Sequence, residues 1–226
     1  MENPMSLLPD ALVESAKAVI LLTEYQTVLH YRDGTGVVTR PVSFESVRHA
    51  FSDLPTDLGW LDTRVRRVGS TRGKPFVVAE VPAATRAIFI ETEGGDALRL
   101  TVPMPPLVFF GSSTEWRVWA IAAERFAPDA EAFHAPLPNI GERGSICWGD
   151  NRAPKVDPRS MDAALELFWS APFSSHEAAG RSVGHADDVR KLLADLNGKP
   201  EFPLEQLVGC GRTIGTLVDS LVGRAR

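Results

Sequence analysis

The residue best placed for chemistry in this 226-residue sequence is Cys147, which ends a loop rich in proline and glycine. Gly144 and Gly149 flank it, and glycine lets the backbone bend so that a neighbouring side chain is presented. A thiol is the strongest nucleophile among side chains, and it can form a thioester that keeps an acyl group activated until an amine attacks. Most free cysteines are instead small buried hydrophobic residues. The loop context leaves both interpretations of Cys147 open.

Several other kinds of site are missing from the sequence. It has no glycine-rich loop ending in Gly-Lys-Ser/Thr, no Gly-x-Gly-x-x-Gly after a strand, no Gly-x-Ser-x-Gly and no His-Glu-x-x-His. The two cysteines are too far apart for a sulfur-rich metal site, and the five histidines lack the spacing of metal ligands: His30, His49, His134, His176 and His185. We therefore expect neither a metal nor a bound cofactor.

The segment that ends at Cys147 resembles the active-site signature of ubiquitin-conjugating enzymes. That signature reads His-Pro-Asn-Ile/Val, three residues, and Gly-x-Ile/Val-Cys. Here the matching runs are Leu137-Pro138-Asn139-Ile140 and Gly144-Ser145-Ile146-Cys147, with the signature's separation of 8 residues between Asn139 and Cys147. Weaker similarity extends upstream to residues 102–109, which resemble the proline-rich segment after the last sheet strand, and downstream to the helix and proline turn at 165–172.

The branch of the family that the sequence resembles most is bacterial. Trp148-Gly149 after the cysteine and a strand-rich N-terminal extension are similar to prokaryotic ubiquitin-conjugating family D, which includes protein B of the PRTRC systems. The resemblance implies a ubiquitin-conjugating-enzyme-like fold, a ubiquitin-like protein as partner, and an adenylating activating enzyme that alone uses ATP. It also implies a JAB-type deconjugating peptidase as a neighbour, in a plasmid-associated or antiphage-defence operon.

The resemblance assigns roles to two residues of the signature. Cys147 would accept the C-terminus of a ubiquitin-like protein as a thioester and pass it to an amine. Asn139 would support the loop or the oxyanion that forms during attack, because an amide donor aimed at developing negative charge lowers the barrier. Asn139 could equally be a turn residue whose side chain bonds nearby backbone, and the two roles can coexist.

The sequence departs from the signature at its histidine, where Leu137 stands. His134, three residues earlier, could replace that imidazole. Asp150 lies shortly after the cysteine and could tune the thiol or an incoming amine, although a turn residue is the simpler interpretation. The polar gate residue expected after the helix has only loose counterparts, within residues 174–177.

The predicted fold class is α+β, with an antiparallel β-meander followed by helices. Predicted strands lie at 18–22, 27–31, 37–42, 76–81, 87–91, 97–102 and 116–122, and the first of them form an N-terminal hairpin around the turn at 33–36. Ser43 is a predicted helix cap, and a long structured loop begins at Ala123. Apolar stripes predict helices within 161–168, 189–196 and 214–222, with Asp157 as the cap of the first. We expect a single domain over 1–226, with a family-specific extension at about 1–60 and a conjugating-enzyme-like core at about 61–226.

Composition narrows the cellular setting. The sequence has 24 Lys+Arg against 29 Asp+Glu, a net charge of −5, which argues against nucleic acid as a partner. Two cysteines cannot form a disulfide framework, and no signal peptide or membrane-spanning stretch is present, so we expect a cytoplasmic protein with no membrane partner. Cys210, between two glycines, is predicted to be structural.

Two alternatives to an enzyme come from other classes of function. A non-catalytic module could keep the same fold to bind a ubiquitin-like protein or to act as a scaffold. The missing signature histidine favours this alternative, whereas the retained cysteine at the right spacing opposes it. A redox-sensing thiol protein has little support, because no resolving cysteine lies near Cys147 in the sequence.

Overall fold

A computed structural model describes residues 18–34, 36–47, 61–71, 74–92, 94–123, 125–157 and 160–223. The chain divides into two compact units, Met1–Asp57 and Leu58–Arg226. The expectation of one domain, with residues 1–60 as an extension of a 61–226 core, stays a prediction. The overall class is α+β, with mostly antiparallel sheets and a few helices, as expected.

The first unit contains a three-stranded antiparallel sheet with β2 in its centre. Its strands are β1 (Ala18–Leu22), β2 (Thr27–Asp33) and β3 (Gly36–Val42). The predicted hairpin is confirmed as β2–β3, and β1 extends it. A helical turn follows at 44–47, where the Ser43 hydroxyl accepts a hydrogen bond from the Ser46 N–H at 3.0 Å, as the cap prediction requires. Apolar spacing from Phe44 to Phe51, with Pro55 just beyond, predicts a longer helix after this cap, but Phe51 and Pro55 lie outside the described residues.

The second unit contains a six-stranded antiparallel sheet in the order β11-β10-β9-β8-β5-β4, and a separate two-stranded sheet of β6 and β7. The strands are β4 (Val65–Thr71), β5 (Lys74–Val81), β6 (Ala84–Glu91), β7 (Ala97–Met104), β8 (Leu107–Ser112), β9 (Glu115–Ala120), β10 (Glu131–His134) and β11 (Gly209–Thr213). The prediction of a simple meander is therefore wrong for this unit. Strand β5 pairs directly with β8, and β6 and β7, which lie between them in the sequence, form a separate hairpin.

The sheet is covered on both faces, which explains why its central strands are continuous apolar runs. On β5, Val77 and Ala79 pack into one cluster, and Phe76 and Val78 pack into another. The first cluster contains buried residues of α1 (Met161–Ser170), α2 (Val189–Asp195) and the β6–β7 hairpin, and the second contains those of α3 (Ile214–Leu221). The predicted apolar stripes are confirmed as the buried faces of these helices, except that Leu221 of the third stripe is exposed.

Four strands of the large sheet, β4, β8, β10 and β11, lie in segments that the sequence patterns did not mark as strands. Residues 102–109 do not follow the last sheet strand, because β8 begins at Leu107 and further strands come after it. β10 interrupts the long loop predicted after Ala123, and β11 contains Cys210. The strand β10 has only four residues and a register shift, so its pairing with β9 and β11 defines it rather than any periodicity of its own.

Side-chain caps lie at the starts of two of the three helices. The Asp188 carboxylate accepts from the Arg190 N–H at the start of α2, and Thr213 forms a capping box with Thr216 at the start of α3. Asp157 is not the cap of α1, which begins after Ser160. Within the part of the chain that the structure describes, no helix is both long and apolar enough to cross a bilayer.

Phe168 of α1 is the centre of an aromatic cluster under the sheet. Its ring makes edge-to-face contacts with Phe109 of β8 at 5.2 Å, Trp169 at 4.8 Å, Phe173 at 5.5 Å and Trp148 at 6.4 Å. The side chain is almost completely buried. This packing joins the helix to the sheet and to the residue directly after Cys147.

Replacing Phe168 with Ala should therefore reduce the free energy of unfolding by about 3 to 5 kcal/mol, since it removes a large buried ring from a dense cluster. Urea unfolding followed by circular dichroism measures this loss. Leu98→Ala on β7 is the matched control, because Leu98 is 51% exposed and should change the free energy by less than about 0.5 kcal/mol. Equal unfolding midpoints for the two variants would contradict the central place of Phe168.

Candidate active site

The cysteine segment, residues 143–147, extends the large sheet along one edge of β9. The strand β8 occupies the other edge of β9, and within β9 only Trp119 and Ala120 pair with β10. Next to β10, the N–H of Ile146 donates to the Trp116 carbonyl at 2.9 Å, and the N–H of Val118 donates to the Gly144 carbonyl at 2.8 Å. Cys147 is therefore held at the end of a paired segment, directly beside the sheet.

Gly144 is required by this close approach. Its φ is +77°, and a Cβ built there would lie 2.7 Å from Nε1 of Trp119 and 2.9 Å from the Val118 carbonyl oxygen. Any larger residue would push the cysteine segment away from β9. The glycine of the signature thus allows the backbone of the segment to lie against a buried tryptophan.

Asn139 connects the cysteine segment to residues 171–177, the segment that follows α1. Its backbone is left-handed, with φ of 60°, a conformation that asparagine tolerates better than most residues. Its carbonyl accepts from the Cys147 N–H at 2.8 Å, and its own N–H donates to the His176 carbonyl at 2.7 Å. Its side-chain oxygen accepts from the hydroxyl of Ser174 at 2.8 Å and from the Ser174 N–H at 3.3 Å. These bonds hold the backbone of Cys147 and the side chain of Ser174 against Asn139.

A cavity of about 300 Å³ lies beside the cysteine. Cys147 is exposed, and it shares the lining of this cavity with Asn139, Asp150, Ser174 and Glu91. The structure therefore brings together three of the predicted site residues, Cys147, Asn139 and Asp150. Of the four loosely matched gate positions, Ser174 is the one in the cavity lining.

Glu91 was missed by the sequence analysis. It is the last residue of β6, and its N–H donates to the Phe173 carbonyl at 2.8 Å, so the hairpin end lies beside the segment after α1. No motif connects Glu91 with Cys147, because they are distant in sequence and only the contact between β6 and that segment brings them together.

His134 lies elsewhere. It is the last residue of β10, its Nδ1 is 2.9 Å from Nη1 of Arg181, and it lines a second cavity rather than that of Cys147. Burial, and then the positive charge of Arg181, lower the pKa of His134. Leu137, at the histidine position of the signature, is fully buried in the core. The structure thus places an apolar side chain where the signature has an imidazole.

The two cysteines have different surroundings. Cys210 is half-buried on β11, and burial raises the pKa of its thiol to about 11, whereas the Cys147 side chain is exposed. The neighbour of Cys147, Trp148, packs edge-to-face on Phe168, as a core residue does. Among the described residues, no group of three or more His, Cys, Asp or Glu is placed to hold a metal ion.

The model of prokaryotic E2 family D matches residues 43–210, which is most of the chain. The chain therefore belongs to this family, and the resemblance to prokaryotic family D is confirmed. Membership associates the protein with ubiquitin-like conjugation, and in general with a ubiquitin-like protein and an activating enzyme. Searches of curated proteins and of solved structures found no match.

Gly144→Ala should reduce the free energy of unfolding by about 2 to 5 kcal/mol, because a left-handed backbone and a steric clash are combined at one residue. Gly149→Ala is the matched control. Its φ is also positive, at +56°, but nothing lies within 4 Å of the added Cβ. Its free energy of unfolding should therefore fall by only about 1 to 2 kcal/mol, the cost of the left-handed backbone alone. Equal losses in urea unfolding would show that the approach to Trp119 does not constrain the segment.

Proposed function

We propose that this protein is a ubiquitin-conjugating-like acyltransferase that carries a ubiquitin-like protein as a thioester on Cys147. The observation that carries the proposal is the exposed thiol, held beside a cavity by a hydrogen bond from its own N–H to Asn139 within the matched signature. Family membership supports the same class of reaction.

The proposed reaction has two transfers. In the first, the thiolate of Cys147 attacks the thioester carbonyl on the activating enzyme, and the enzyme's own thiolate leaves. In the second, an amine attacks the new thioester, the C–S bond breaks, a C–N bond forms, and the amine loses a proton to solvent or a nearby base. ATP is consumed only by the activating enzyme, so this chain needs no cofactor. A JAB-type peptidase in the same system would cleave the amide bond of the conjugate.

Carboxylates in the cavity support an amine as the acceptor. Glu91 and Asp150 both line it, and a lysine ammonium approaching Cys147 would be attracted by their negative charges. Because attack requires the neutral amine, either carboxylate could accept the proton that is released. We assign the attraction of the amine and the acceptance of its proton to Asp150 and to Glu91.

Asn139 would act mainly by positioning Cys147. Its side-chain oxygen is occupied by Ser174, and its amide nitrogen lies 3.5 Å from the Pro172 carbonyl, a long contact that leaves this donor weakly engaged. The same nitrogen could therefore turn towards an oxyanion while the oxygen remains bound. Both roles proposed from the sequence are compatible with these contacts.

The thioester itself is the first test. The protein, its activating enzyme, ATP and the ubiquitin-like protein should give an adduct on a non-reducing gel that disappears with added thiol. Cys147→Ala should abolish the adduct, Cys147→Lys should give a thiol-resistant one, and Cys210→Ser should leave it unchanged because that thiol is half-buried with a raised pKa. No adduct with a demonstrably active activating enzyme would favour a non-catalytic binding or scaffold module.

The bond between Ser174 and Asn139 is tested by discharge of the preloaded thioester to free lysine. Asn139→Ala should slow discharge about 10- to 100-fold, and Ser174→Ala should slow it less, because the amide remains in place. The double variant should be no slower than Asn139→Ala alone, since both changes break one interaction. Ser175→Ala, at an exposed neighbour, is the control. Additive effects would contradict the positioning role.

A further inference from the structure

A second cavity, of about 970 Å³, is lined by four arginines. These are Arg117 of β9, Arg143 of the cysteine segment, Arg181 after the segment that follows α1, and Arg212 of β11. None of them lines the cavity of Cys147. Because the four residues come from four separate parts of the chain, their meeting at one cavity is a product of the tertiary structure.

Arg181 is the most deeply placed of the four, with 3% of its surface exposed. Its Nη2 donates to the Ile140 carbonyl at 2.5 Å, and its Nη1 contacts His134, but its buried Nε has no hydrogen-bond partner among the described residues. The nearest carboxylate, that of Glu177, is 3.6 Å away. A buried guanidinium with an unused donor is costly unless a further acceptor reaches it.

The other arginines also keep donors available. Arg117 donates from Nη1 to the Arg143 carbonyl at 3.0 Å and forms a long ion pair with Glu115 at 3.9 Å, while its Nε is buried without a partner among the described residues. The guanidinium of Arg143 has no hydrogen bond or ion pair within the described part of the chain, and Arg212 donates only to the Thr216 carbonyl, at 3.0 Å. Several forked donors therefore point to a ligand with several acceptor oxygens.

The charges that line the cavity do not balance. Four arginines face two carboxylates, Glu142 and Glu177, and the remaining titratable groups are His134 and the thiol of Cys210. The lining side chains carry an excess of two positive charges, and Glu115, which lies outside the lining and forms an ion pair with Arg117 at 3.9 Å, offsets one of them. The remaining positive charge attracts an anion. A phosphate group offers oxygens for more than one guanidinium, whereas a single carboxylate has only two oxygens and engages fewer guanidinium groups.

We propose that this cavity binds a phosphate-type dianion, either free phosphate or the phosphate group of a small molecule. The volume exceeds the need of one phosphate and falls in the range of small-molecule sites. The site is independent of thioester transfer at Cys147, and it would remain if that function were refuted.

Binding is tested with inorganic phosphate and with adenosine monophosphate, against sodium chloride and sodium acetate at the same ionic strength. At ten times the dissociation constant, each phosphate ligand should raise the melting temperature by about 3 to 6 °C. Tighter binding of the nucleotide in calorimetry would identify a phosphorylated small molecule, and equal binding would identify the anion alone. Equal stabilisation by chloride or acetate would overturn the proposal.

Variants of the two more accessible arginines locate the site. Arg143→Ala and Arg212→Ala should each weaken phosphate binding about 10- to 100-fold, the value of a hydrogen bond to a charged group. Arg99→Ala is the matched control, because Arg99 is exposed on β7 and loses the same charge outside the cavity. Unchanged affinity in both cavity variants would overturn the proposal.

The two free cysteines provide a second readout in the unmodified protein. Cys210 lines the arginine cavity and Cys147 lines the other, so phosphate should slow alkylation of Cys210 several-fold more than that of Cys147. Peptide mass spectrometry after iodoacetamide treatment measures both rates in one sample. Equal slowing of the two thiols would place the anion outside this cavity and contradict the proposal.

Discussion

The position of Cys147 depends on how Asn139 is bound. This residue adopts a left-handed backbone that is unfavourable for most side chains, and it does so within bonds that reach in three directions: to the Cys147 N–H, to the His176 carbonyl and to the Ser174 hydroxyl. The cysteine is therefore coupled to the segment after α1. That segment is anchored in turn by Phe173, which packs on Phe168, so the site depends on the aromatic cluster beneath it.

The large sheet determines where such a segment can be placed. Its central strands are buried on both faces, so chemistry that needs solvent must lie at an edge or in a connection. The edge of β9 that β10 leaves unpaired is where residues 144–146 bind. Gly144 permits the close contact with Trp119, and Cys147 emerges at the point where this pairing ends.

The same short segment contributes to two cavities with opposite charge. Cys147 and Asn139 line one that also contains the carboxylates of Glu91 and Asp150, and Arg143 lines the other with three more arginines. Arg181, in the lining of the second cavity, is also bonded to this loop, because its guanidinium donates to the Ile140 carbonyl. A positively charged amine and a negatively charged phosphate would therefore be attracted to different cavities, both bordered by one loop.

The sequence by itself determined the local features: the spacing of Asn139 and Cys147, the family, the apolar faces of α1, α2 and α3, and the turn of the β2–β3 hairpin. These depend on residues close together in the chain, where periodicity and turn chemistry act. Only the tertiary structure decided that β5 pairs with β8, that Glu91 and Ser174 join the cysteine cavity, that His134 lies beside Arg181 instead, and that four arginines converge. The physical reason is that long-range strand pairing and two-sided burial bring these residues together, and neither leaves a periodic pattern in any single segment.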